Sequence, residues 1–262
     1  MFSNDKEIRN IQEQLLGVLR QIHNCCMENR ICYSLHGGTL LGAIREKGFI
    51  SWDDDADISM TRRNYERFLD VIKTDNTYHL FITHFNQVTQ IVSSEFPDVW
   101  VDVFVYDFIT TNTSLQKIKY ALLVFMNVCV KPRGMLNIRK AIYDYPAIVR
   151  FFYDAIYVIS GFFPIGWRRT LREFIASKCL SGDRTLMFKS NDQIKGLKET
   201  FPRDVMKKYT LTVFESTKLM ISKDYEVMLT TSYGKDYMTP VKYDAKESNV
   251  HVKMRGKMGL II

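Results

Sequence analysis

"SLHGGTLLGAIREKGFISWDDDADISM", residues 34–60, decides how this chain is read. A Gly-Gly turn opens an apolar helical pattern, and Asp53, Asp54, Asp55 and Asp57 follow it within five positions. They stand between Trp52 and the apolar Ile58 and Met60, which is no setting for surface decoration. The pattern predicts a strand over 53–60, and strand side chains alternate faces. Asp53, Asp55 and Asp57 then share one face, with Asp54, Ala56 and Ile58 on the other. Two carboxylates about 4 Å apart repel by roughly 4 kcal/mol at an effective dielectric of 20. Such a cluster calls for a divalent cation, and hard oxygen ligands suit Mg²⁺ or Mn²⁺. The plain alternative is a set of aspartates capping a helix or crowding an exposed loop.

Working outward, residues 5–29 carry Ile8, Ile11, Leu15, Val18, Leu19, Ile22 and Cys26 at helical spacing. "ICYSLH" reads as a short strand ending at Gly37-Gly38, and "TLLGAIREK" as a helix with Thr39 at its N-cap. Glycines let backbone N–H groups approach a ligand, and a helix N-terminus favours anions, so Gly38 and Thr39 suit a phosphate. "TRRNYERFLDVIK" resumes the helical period, and "YHLFITHF", "TQIVSS" and "VWVDVFVYDF" are strand candidates. The last holds Asp102 among Trp100, Val101, Val103, Phe104 and Val105. A lone carboxylate there is costly unless satisfied, either by a metal shared with Asp55 and Asp57 or by water at a sheet edge. From about 113 the pattern is mainly helical, turning mixed near "TVFESTKLMIS" and "SYGKDYMTP". The expected organisation is an αβ core over 1–110, then a largely helical region over 111–262 that returns to it as one compact unit. The fold class is α+β, a small mixed sheet flanked by helices.

The 262 residues are 46% hydrophobic, enough for a packed core, and carry a net charge of +7 that points to anionic partners. Dispersed bases without an aromatic-basic motif argue against nucleic acid. Five cysteines without CxxC spacing read as reduced thiols of a cytosolic protein, and the polar first residues, "MFSNDKEIRNIQEQLL", do not resemble a signal peptide. No apolar run reaches the roughly 18 to 20 residues of a membrane span. "YALLVFMNVCV" (120–130) and "AIYVISGFFPIGW" (155–167) are the longest, both flanked by bases. They read as core helices, or as a surface lying on the inner face of a membrane.

The order strand, "GG", helix, "DxD" and a third Asp on a later strand resembles the nucleotidyltransferase-fold superfamily. Within it, residues 34–60, "RNYERF" and "VFESTKLMISKDYEVMLTTSYGKDYMTP" resemble the LicD family, relatives of fukutin and fukutin-related protein. Residues 112–185 carry no motif of that family. The resemblance implies metal-dependent transfer of a phosphorylated small alcohol, phosphocholine or a phosphoalditol, from a CDP-activated donor. The acceptor would be a hydroxyl of a cell-surface glycan such as lipopolysaccharide or teichoic acid, free or lipid-linked, and CMP would be released. It implies Asp55 and Asp57 as metal ligands and Asp102 as third ligand or base. Gly37, Gly38 and Thr39 would hold the donor phosphates, and Arg45 and Lys47 would face the diphosphate or solvent. Tyr233 and His251 would close over the site. Two other readings remain at this point: nucleotidyl transfer releasing pyrophosphate, and a non-catalytic nucleotide- or glycan-binding protein of the same fold.

Overall fold

The structure is a computed structural model and describes residues 2–83, 88–130, 147–192 and 194–240. The opening helix α1 (Phe2–Glu28) buries Ile11, Leu15, Val18, Leu19 and Ile22 on one face, as their spacing dictates. It leads into β1 (Ser34–Leu35), α2 (Gly37–Arg45), β2 (Asp57–Thr61) and α3 (Arg62–Thr74). The strands β3 (Leu80–Thr83), β4 (Thr89–Ser93) and β5 (Phe96–Ile109) follow. Helices α4 (Thr113–Cys129), α5 (Ala147–Ser160) and α6 (Ile165–Ser177) come next, as the periodicity predicts.

Beyond them the chain is less helical than its pattern suggested. It forms β6 (Leu186–Lys189), a short α7 (Ile194–Leu197) and β7 (Thr200–Pro202). The hairpin β8 (Tyr209–Phe214) and β9 (Thr217–Ser222) precedes α8 (Tyr225–Tyr233). Short strands of four residues or fewer do not complete two alternations, so periodicity misses them.

Among the described residues one mixed sheet runs β1-β2-β5-β4-β3, with β6 also pairing the far end of β5 and β7 pairing β6. β2 and β5 are parallel, with Asp57 opposite Asp102 and Met60 opposite Val105. Ile58, Met60, Val101, Val103 and Val105 are all buried, and they join the apolar face of α1 in the main core. A one-residue slip would turn every one of these side chains to the other face, so the core fixes the register. The resulting α+β architecture is the expected one, a curled mixed sheet flanked by helices. Cys25 and Cys26 belong to this core, and all five cysteines are unpaired.

Two polar clusters fasten the outer elements. Arg62 binds Asp107 through both carboxylate oxygens (2.5 and 3.0 Å) and Glu173 at 2.6 Å, tying α3 and α6 to β5. The buried Lys119 of α4 donates to the carbonyls of Phe108 (3.3 Å), Ala176 (2.8 Å) and Lys178 (2.7 Å). The two apolar runs are split between interior and surface. Leu123 and Met126 are buried, whereas Phe125, Phe151, Val158, Phe162 and Trp167 are exposed.

The β8–β9 turn grips the segment that leads to the aspartates. Glu215 accepts from Arg9 (3.0 and 3.2 Å) and from the Phe49 backbone N–H (3.2 Å), and its own N–H donates to the Lys47 carbonyl at 2.7 Å. Arg9 is half exposed, so its ion pair alone is worth less than about 1 kcal/mol. Glu215→Ala also strands the Phe49 N–H and should cost about 1–2 kcal/mol. Urea titrations should therefore show a larger fall in midpoint for Glu215→Ala than for Arg9→Ala. Equal falls would mean that the backbone contact contributes nothing.

Candidate active site

β1 is only two residues long, and its short pairing with β2 sets Leu35 opposite Ile58. The next N–H, of His36, donates to the Asp57 carbonyl at 2.9 Å. The chain then turns at Gly37 (φ +54°) straight into α2. The helix therefore begins two residues before Thr39, whose expected place at the N-cap is taken by His36. Thr39 lies in the first turn, and its Oγ1 accepts from the Asp57 N–H at 2.9 Å. Together these bonds lock the start of β2 against the positive end of α2.

The glycines make room for carboxylates. A methyl group on Gly37 would stand 2.6 Å from Asp57 Oδ2, and one on Gly38 would stand 2.5 Å from Asp53 Oδ2. Both acids thus lie against the N-terminal turn of α2, where the helix dipole favours negative charge. Gly37 also holds a left-handed φ that an L side chain rarely adopts.

Residues 53–56 lie outside the ladder, because β2 begins only at Asp57 rather than at Asp53. The Asp102 N–H nevertheless reaches the Ala56 carbonyl at 2.9 Å. Asp53 and Asp55 are hydrogen-bonded through their side chains. Burial, with the neighbouring Asp55 second, pushes the Asp53 carboxyl up to about 9. Burial also raises Asp55, and it raises Asp57 well above the ordinary carboxylate range, with Asp55, Asp102, Asp53 and Asp192 adding to it. Asp102 is pushed up to about 7, chiefly by burial, while hydrogen bonds from Gln90 and Trp100 oppose the rise. Its Oδ1 is buried without a hydrogen-bond partner. β5 is flanked by β2 and β4, so Asp102 is not an edge residue facing water.

The sequence reading passed over a second layer. His36 is buried against Phe104 (ring centroids 4.6 Å apart), and burial, with Lys189 second, lowers it far enough to keep the imidazole neutral. Lys189 is buried on β6, paired with Asp192 at 2.8 Å and Glu199 at 3.0 Å. Burial alone would lower its ammonium, but the two acids outweigh that and hold it above the ordinary lysine value. Ser232 of α8 donates to Glu199 at 2.9 Å, linking this layer to the C-terminal helix. The sequence signal was "MFKSND", 187–192, a charged residue at the end of an unnoticed strand.

A cleft of about 220 Å³ opens beside the carboxylates, lined among others by Gly38, Arg45, Trp52, Asp53, Tyr233 and Tyr237. The Tyr233 hydroxyl reaches the Gly37 end of α2, and burial with Asp57 second raises its pKa. Arg45 lines the cleft and pairs with Glu46 at 2.8 Å. Lys47 lies past the opposite end of α2, its ammonium held on the Ile44 carbonyl at 3.1 Å. His251 lies outside the described residues. A larger cavity of about 490 Å³ adjoins Thr61, Asp107 and Arg203. Thr61 is four residues along β2 from Asp57, so roughly 13 Å separates this cavity from the carboxylates.

The acidic oxygens are hard donors, and the orphaned Asp102 Oδ1 beside raised carboxyls fits a divalent cation. Among the described residues no three acid, His or Cys side chains already converge as a closed ligand set.

Residues 30–141 match the model of the LicD/FKTN/FKRP nucleotidyltransferase domain. Over 64 residues the chain is 53% identical to the lipopolysaccharide cholinephosphotransferase LicD of Haemophilus influenzae, which is 24% of each chain. Over 152 residues it is 28% identical to an uncharacterized protein of Rickettsia typhi, 52% of this chain and 48% of that one. The matched stretches thus span a quarter to a half of these relatives' own lengths.

The raised carboxyls have a measurable consequence in the metal-free protein. Asp53 has a folded pKa of about 9 against about 3.9 in an unfolded chain. Its stabilising proton is fully present below the unfolded value and is lost as pH rises through the folded one. Between pH 7 and 9 it should lower stability by up to about 1.4 kcal/mol per pH unit. Denaturation in chelator should therefore show a shallower pH dependence for Asp53→Asn than for the wild type. Parallel curves would place the proton elsewhere.

Proposed function

We propose that this chain, which belongs to the LicD family through residues 30–141, is a phosphotransferase. It would move phosphocholine, or a related phosphorylated alcohol, from a CDP-activated donor to a hydroxyl of a cell-surface glycan. The observation that carries this reading is the parallel register that sets Asp57 beside Asp102, with Asp53 and Asp55 adjoining at the N-terminus of α2. The name of the Haemophilus relative supports phosphocholine and lipopolysaccharide as the substrate classes.

Asp55 and Asp57 would hold a Mg²⁺ or Mn²⁺ ion, which when bound would neutralise charge on the diphosphate, with Asp102 beside them as the base. Gly37, Gly38 and Thr39 would bring the N–H groups of α2 to the same phosphates. Arg45 adds a cation from the cleft wall. The acceptor hydroxyl attacks the β-phosphorus, and the bond from that phosphorus to the bridging oxygen breaks. CMP departs with the electron pair, and the hydroxyl proton passes to the Asp102 carboxylate. His36, kept neutral and buried, holds the turn that presents these groups.

A pure-protein assay with CDP-choline, a glycan acceptor and Mg²⁺ or Mn²⁺ should release CMP. Asp102→Asn should cut the rate at least about 100-fold while leaving the fold intact, the usual scale for a lost general base. Release of pyrophosphate from a nucleoside triphosphate would favour nucleotidyl transfer instead. Full biological function in Asp102→Asn would favour a binding protein.

A lipid-linked acceptor also gives a role to the exposed apolar surface on α5, α6 and their connection. Phe162 is 81% exposed and precedes Phe163, whose ring stacks on Trp167 (centroids 5.3 Å apart), and Phe151, Val158 and Ile159 are exposed along α5. Lys117, Arg169 and Lys178 stand on the neighbouring elements. No helix among the described residues is long and apolar enough to cross a membrane. The proposed contact is therefore a docking face that lies on anionic lipid. Purified protein should co-sediment with phosphatidylglycerol-containing vesicles at low salt. Phe162→Ser should weaken that binding about tenfold, the loss expected for roughly 1.4 kcal/mol of apolar insertion. No sedimentation at low salt would remove the membrane from the proposal.

A further inference from the structure

The larger cavity, of about 490 Å³, lies at the far end of β2 from the carboxylates, and the reaction proposed above makes no use of it. Its size falls within the roughly 300–1,000 Å³ of ligand pockets. Arg63 of α3, Arg184 before β6, Arg203 after β7 and Lys207 before β8 all line it. Four separate segments thus bring cations to one space. Arg62 lines it too, but Asp107 and Glu173 already occupy its guanidinium.

Local structure fixes the central pair. Asp183 accepts from Thr111 (N–H 3.0 Å, Oγ1 2.7 Å) and from Thr185 (N–H 3.1 Å, Oγ1 2.7 Å), which pins the chain on both sides of Arg184. The β6–β7 ladder sets Leu186 opposite Pro202, and the Arg203 N–H extends it to the Thr185 carbonyl at 3.0 Å. Arg184 and Arg203 therefore leave neighbouring backbones. Both guanidiniums stand over the Phe108 ring, 5.7 and 6.0 Å from its centroid. That ring is half-buried and packed on the main core, so it is a fixed platform. Two like charges gathered on one ring repel unless an anion joins them. The acids nearby do not supply one. Asp107 is taken by Arg62, and Asp204 stands 3.8 Å from Arg203 and 3.6 Å from Lys207, too far for a hydrogen bond. Arg63, Glu66 and Arg184 form no ion pair among the described residues.

We propose that this cavity is a second anion site, which takes a phosphate monoester group on Arg184, Arg203 and Lys207. The proposal goes beyond the phosphotransferase reading and does not depend on it, because none of Asp53, Asp55, Asp57 and Asp102 lines the cavity. A phosphate monoester offers three terminal oxygens, and a guanidinium fork can grip two of them at once. Arginines held beforehand by a ring and a short ladder lose little freedom on binding, which favours affinity. Met187 and Met206 are buried and also line the space, so one side of it is apolar and strengthens the attraction. The net charge of +7 draws such a ligand to the molecule. Soluble phosphorylated sugars and lipid headgroups both carry this group, and experiment separates the two sources.

Calorimetric titration of the full chain with glucose 6-phosphate, in chelator so that no metal draws phosphate to the carboxylates, tests this. Glucose is the neutral control. A second arm measures co-sedimentation with phosphatidic acid vesicles against phosphatidylcholine vesicles. The wild type should bind glucose 6-phosphate and not glucose. Arg184→Gln combined with Arg203→Gln, both at exposed positions where folding is not at stake, should weaken that binding at least about tenfold. Lys6→Gln combined with Lys73→Gln removes the same charge at exposed positions outside the cavity and should leave the affinity unchanged. Binding confined to phosphatidic acid vesicles and lost in the arginine variant would also support the site and assign its phosphate to a lipid headgroup. Binding of neither phosphate source would overturn the proposal. Equal weakening by the two pairs of substitutions would overturn it too, because net charge alone would then account for the binding.

Discussion

Two half-buried carboxylates on adjacent parallel strands are a costly thing to build, and Asp57 beside Asp102 is the feature on which the rest of this molecule depends. Neighbouring strands are only about 4.8 Å apart, so paired residues on them are forced together whatever their charge. The apolar residues around the pair supply the force. Ile58, Met60, Val101, Val103 and Val105 reach their buried positions in this register and lose them on a slip of one residue. The hydrophobic core thus holds in place a repulsion that the carboxylates alone would relax. Burial and the neighbouring acids push these carboxyls above their ordinary range, the electrostatic mark of that repulsion.

Every neighbouring element tempers that cluster. The N-terminal end of α2 is brought against it by a two-residue strand and a left-handed glycine, and the two glycines leave space for Asp57 and Asp53. Lys189 supplies a buried positive charge one layer away, already matched by Asp192 and Glu199. α8 carries Tyr233 to the front of the cluster and is tied to the same layer through Ser232. The β8–β9 turn holds the loop before Trp52 by the Glu215 bonds. These parts come from both ends of the chain, so the site depends on the whole fold.

The helical layer is attached differently. Arg62, Asp107, Glu173 and Arg172 bind it to the sheet by charge, and Lys119 binds it through three carbonyls, while much of its outer apolar surface stays open. An element held by polar bolts can present an apolar face outward without losing its seat on the core. That division lets one chain combine a polar site at the strand ends with a face suited to an apolar environment.

The aspartate cluster, the Gly-Gly helix start, the amphipathic α1 and α3 and the central strand with Asp102 were all legible in the order of residues. Each of these is a local pattern: a spacing, a turn signal, or a charge where apolar residues were due. Strand bounds shifted, because β2 begins only at Asp57 and β1 is too short to show a period. Tertiary structure alone decided which carboxylate meets which, since the β2–β5 register is set by a core assembled from distant segments. It alone placed Lys189, Asp192 and Glu199 behind the site, carried Lys47 away from it and gathered Trp52, Tyr233 and Tyr237 around one cleft. Those relations join residues up to nearly two hundred positions apart, and no local spacing encodes a contact that only the folding of the chain creates.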